Sequence, residues 1–146
     1  MGDGMNEILK MIEEVSPDDT AKLDEIDIRT HCWLRNREWG GWHVEGSDAT
    51  GSWALHEGKR VENSYTNHSI FTRLSRDRNW LKLIRPIGWV TMIVEFDNGG
   101  GLILGWNCCL KNIQDKLVTS RPDTLPTEEL AELHAIIQAI EYERTK

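Results

Sequence analysis

Ser64-Tyr65-Thr66-Asn67, the basic segment Ile70 to Arg85, the step Pro86-Ile87-Gly88-Trp89 and the run Val90-Thr91-Met92-Ile93-Val94-Glu95-Phe96 decide how this chain reads. In order they spell turn, helix, tight turn and buried strand. The helix is predicted over about 68–84, with Ile70, Phe71, Leu74, Leu81 and Ile84 at helical spacing and Arg73, Arg76, Arg78 and Lys82 on the other faces. After Phe96, Asp97-Asn98-Gly99-Gly100-Gly101 supplies residues that tolerate positive φ, so a hairpin to a second strand at 102–107 follows.

Upstream, Met5 to Val15 is amphipathic through Ile8, Leu9, Met11, Ile12 and Val15, while residues 1–4 read as loose. Ser16-Pro17-Asp18-Asp19 carries a cap, a proline suited to a first helical turn, and acids for the positive helix end. It opens a second helix over about 17–35, with Leu23, Ile26, Thr30, Trp33 and Leu34 on one side. Residues 42–62 alternate short apolar runs with the turn-rich Gly46 to Gly51, so they read as strands. Residues 110–124 read as a connection. A last helix spans about 126–143, capped by Thr127, with Leu130, Leu133, Ile137 and Ile140 on one stripe.

The order ααββαββα predicts an α+β fold: one domain over 1–146, with an antiparallel sheet of about four strands sandwiched or covered by helices. A chain of 146 residues is long enough to bury one core. Seven Trp supply much of it, and Trp89, Leu133 and Ile137 are expected inside. Three Cys without regular spacing (Cys32, Cys108, Cys109) make no disulfide framework. With no apolar leader and no run long enough to span a bilayer, this predicts a cytoplasmic protein with reduced thiols and no membrane association.

The sequence spells out no catalytic constellation, and an enzyme is the less favoured reading. His56-Glu57 lacks the second His of a zinc helix, Gly58-Lys59 lacks a phosphate loop, and Gly99-Gly100-Gly101 lies between strands. No metal and no cofactor are predicted. Charge is more telling. The net −7 is uneven: residues 1–30 sum to −6, residues 61–90 to +3 and residues 121–146 to −3. Such acidity argues against direct nucleic-acid binding. It suits docking on a basic protein surface.

Segment 64–89, with Leu23-Asp24 on the second helix and Ala131, Ala135 and Ala139 on the last, resembles the small bacteriophage proteins called phage ABA sandwich domains. Its carriers are Leu23 and Asp24, Tyr65 and Thr66, then Pro86, Gly88 and Trp89. The basic middle helix departs from that group, where it is usually rich in Ala and Leu. The resemblance implies phage origin and an α/β sandwich, and it carries over no catalytic residue.

Together these readings favour a non-enzymatic phage or prophage protein that occludes a host protein or complex with a basic surface, such as a defence nuclease, as anti-CRISPR proteins do. The expected contact residues are Asp18, Asp19, Asp24 and Asp27, with Trp39 and Trp42 beside Gly40-Gly41. Two readings compete. One is a nucleotide- or phosphate-binding domain using Arg73, Arg76, Arg78 and Trp80, whose charge the acidic helices could equally balance. The other is a virion structural or assembly protein. Either a monomer or a homodimer fits.

Overall fold

The computed structural model describes residues 2–34, 42–48, 51–56, 59–60, 70–71 and 74–146, with side chains for 4–34 and 74–146. Its helices are α1 (Gly2–Glu14), α2 (Thr20–Leu34), α3 (Arg78–Ile84) and α4 (Glu128–Thr145). Strands β1 (Trp42–Asp48), β2 (Gly51–His56), β3 (Lys59–Arg60) and β4 (Ile70–Phe71) form one antiparallel sheet, in which β2 pairs with all three others. Strands β5 (Val90–Asp97), β6 (Ile103–Lys111) and β7 (Leu117–Thr119) form a second, in the order β5-β6-β7.

The fold is α+β, as the element order predicts. The sheet under the helices has three strands rather than four. Its third strand, β7, lies within residues 110–124, which read as a connection. It is only three residues long, too short for alternation to stand out.

Helix α4 is the centre of the core. Ten of its residues are buried, from Leu130 through Ile137 and then Ala139 and Ile140. Over these residues the helix is enclosed on nearly every side, with Glu132 and His134 buried among the apolar side chains. Ala131, Ala135 and Ala139 bring the backbone close to its neighbours, and Leu133 and Ile137 are fully buried as predicted. Thr127 caps this helix, its hydroxyl accepting from the Leu130 N–H at 3.1 Å. Ile8, Leu9 and Ile12 of α1 join the same core, together with Cys108 and Leu110 of β6.

Trp89 follows the positive-φ Gly88 (φ 90°) and is buried, its Nε1–H donating to Glu143 at 2.8 Å. Truncating Leu133, Ile137 or Trp89 would therefore open a cavity in the main core.

Several boundaries differ from expectation; β6, for one, runs on to Lys111, four residues past the expected end. Helix α1 begins at Gly2, so residues 2–4 are helical rather than loose. Helix α2 begins at Thr20, because Asp19 accepts from the Lys22 N–H at 3.2 Å and takes the cap expected of Ser16. Helix α3 covers only the last 7 residues of 68–84. Asp77 caps it through the Asn79 N–H at 2.9 Å, while Ile70–Phe71 pairs with β2. The apolar spacing of 70–84 spans a strand and a helix rather than one helix.

Candidate functional site

The residues predicted as sites fall into three groups. Trp39 and Arg73 lie outside the described residues, as does the side chain of Trp42. Asp18 and Asp19 are exposed. Asp24 and Asp27, expected beside them on a recognition face, are instead 5% and 0% exposed. Arg76 is their counter-ion: its Nη2 reaches Asp24 Oδ1 and, at 2.9 Å, Asp27 Oδ2. The Ser75 N–H also donates to Asp27 at 2.8 Å. Desolvation lifts the Asp27 carboxyl to about 6, against the downward pull of Arg76 and Ser75.

Arg78 is held by Glu128 at 3.1 Å and Glu132 at 3.2 Å, and Trp80 packs partly buried on the core. Thus two of the three arginines named for phosphate are neutralised by carboxylates of the same chain. The sequence places these charges 49 to 54 residues apart, and only the docking of α2 and α4 against Arg76 and Arg78 joins them. A cleft beside this cluster, lined by Ser75, Arg76, Thr127 and Glu129, holds about 190 Å³. That is below the ~300–1,000 Å³ of small-molecule sites. Among the described residues no group of three His, Cys, Asp or Glu is disposed to hold a metal ion. No described helix is long and apolar enough to cross a membrane.

The feature that stands out is the outer face of the three-stranded sheet. A strand sends alternate side chains to opposite faces. From β5, Thr91 and Ile93 point toward the helices, and Val90, Met92, Val94 and Phe96 point away. The register pairs Val90 with Lys111, Met92 with Cys109, Val94 with Asn107 and Phe96 with Gly105. Leu117 pairs with Lys111 from the other side.

Val90 is 72% exposed, Met92 60% and Leu117 54%, with Val94 and Phe96 more than a third exposed. At the far end Gly105 lets residues 124–125 cross closely, since a Cβ there would sit 2.6 Å from Thr124 Cβ. Asn107 is tied to Ser120 O and Oγ, each at 3.1 Å. The open part is therefore a row along β5 reaching Cys109 and Leu117. A contiguous apolar patch left to water marks an interaction surface. Sequence reading missed it because a strand apolar at nearly every position reads as buried on both faces. Among the described residues no helix covers this face, and the strand's own sequence carries no trace of that.

No protein family, curated protein or solved structure matches this chain.

Proposed function

We infer that this chain is a non-enzymatic binding protein that occludes a partner protein, docking through the outer face of β5, β6 and β7. The observation that carries this reading is the row Val90, Met92, Val94 and Phe96, standing in water on a sheet whose other face packs Cys108, Leu110 and Val118 into the core. The net charge of −7 suits a partner whose apolar patch has a basic rim, because complementary fields speed encounter while the apolar centre supplies affinity. The resemblance to phage ABA sandwich domains supports a host protein as that partner, with a defence complex the leading candidate and the host cytoplasm as the compartment. Occlusion asks for no reacting group, in keeping with arginines and buried carboxylates that satisfy one another.

The test is a capture experiment from host lysate at physiological salt, using the parent, Val94→Asp and Asp18→Lys. A partner retained by Asp18→Lys and lost by Val94→Asp supports docking through the sheet. A partner lost by Asp18→Lys alone returns recognition to the acidic N-terminal surface. Capture of nothing by the folded parent overturns the occlusion reading.

A further inference from the structure

We propose that β5 is the seam of a two-fold homodimer, in which the β5 strands of two copies pair antiparallel and fuse two three-stranded sheets into one of six strands. Among the described residues β5 pairs only with β6, so one row of its backbone N–H and C=O groups faces outward. A free edge is a template for another strand, and proteins commonly blunt one with Pro, Lys or a bulge. Over Val90–Asp97 there is neither Pro nor Lys, and the bulge comes only at the last step, Phe96 to Asp97.

The pleat restricts the register. A one-residue slip would put the helix layer of one copy on the open side of the other, so even-numbered residues must meet even-numbered ones. The register centred on Ile93 does this and uses the strand up to its bulge. It sets Val90 opposite Phe96, Met92 opposite Val94, and Thr91 opposite Glu95 of the second copy.

That register also matches charge. Arg85 Nη1 donates to Thr91 Oγ1 at 2.7 Å, which holds the guanidinium beside Thr91. Glu95 of the second copy arrives opposite Thr91 on the same face. Within the described residues neither Arg85 nor Glu95 makes an ion pair. The two-fold axis creates the Arg85–Glu95 contact twice. Ile87, wholly exposed just before β5, comes against hairpin residues 98–102 of the second copy, where Leu102 is also exposed. Edge pairing leaves both open faces uncovered and joins them, so this inference stands whether or not the faces dock a partner.

The experiment is sedimentation velocity over a concentration series, with circular dichroism to check that each variant folds. The parent is expected to dimerise reversibly. Arg85→Glu and Glu95→Arg each set like charges together twice, and each should weaken the dimer roughly tenfold or more. An equimolar mixture of the two variants should dimerise like the parent, because each heterodimer then carries two opposite-charge contacts. A parent that stays monomeric throughout overturns the proposal. So does a dimer indifferent to both reversals, or folded variants that fail to recover on mixing. A dimer that only Met92→Asp dissolves would mean that the faces stack, and it also overturns the edge seam.

Discussion

Cys108 and Cys109 are neighbours in β6 on opposite faces of one sheet, and they live in different surroundings. Cys108 is fully buried beneath α4, with Leu110 beside it. Cys109 is half-open on the outer face, opposite Met92, with its thiol 3.6 Å from Asn107 Oδ1 and Thr119 Oγ1. The residues on the two faces are alike in kind: Ile93 on one side of β5, Val94 on the other. What separates them is a layer of helix. The comparison teaches that hydrophobicity along a strand states what a face will tolerate, and that the number of layers decides what becomes of it.

The largest effects belong to the covered face. Leu133→Ala or Ile137→Ala should destabilise by about 2–5 kcal/mol, since the cavity cannot fully collapse. Trp89→Ala should lie at the upper end of that range, because it removes the largest of these side chains and its hydrogen bond to Glu143. At this chain length each kcal/mol lowers the melting temperature by roughly 2–4 °C, so thermal denaturation reads the result. A parent-like melt for Trp89→Ala would place the covering layer elsewhere.

Charge divides in the same way. Arg76→Ala leaves two buried carboxylates without their counter-ion, and breaking such a pair costs about 3–5 kcal/mol. Asp27 has a raised folded-state pKa of about 6 against 3.8. A raised value means that its contribution to stability is full below about 3.8 and is lost as pH rises through about 6. The Arg76→Ala penalty should therefore shrink as pH falls from 7 toward 4, measured by urea melts across that window. The reversal Asp24→Lys with Asp27→Lys should unfold the protein rather than merely slow an association.

Thiol chemistry sharpens the contrast between the faces without altering either. Burial pushes the Cys108 thiol up to about 12, and Cys32 is buried too. Cys109 should react with a thiol reagent at least tenfold faster than the other two in the native protein, and all three should react after denaturation. Equal rates for Cys108 and Cys109 would break the two-face description. The smallest change in stability belongs to the open face. Met92→Asp should shift it by no more than about 0.5 kcal/mol, in chemical denaturation, while removing the capture of a partner.

Periodicity made much of this architecture legible. The stripe of α4, its Thr127 cap, the Gly88-Trp89 step and the β5–β6 hairpin all depend on contacts within a few residues of each other. Where the reading failed, the deciding partner lay far along the chain. Asp24 and Asp27 look like surface acids until Arg76, 49 residues or more away, accounts for them. The 70–84 segment looks like one helix until β2 claims its first part. The open face was the least legible feature, because no residue in β5 records that its outer row is exposed.

One further contact ties the end of α2 to the end of α4. Arg144, in the last turn of α4, donates to the carbonyls of Trp33 and Leu34 at 3.2 and 2.8 Å and lies 4.5 Å over the Trp33 ring. Those carbonyls end α2, where a helix leaves its acceptors unfilled. The residue that fills them arrives 110 positions later. The end of α2 is therefore completed from the far end of the chain, so a local helix terminus depends on the docking of α4.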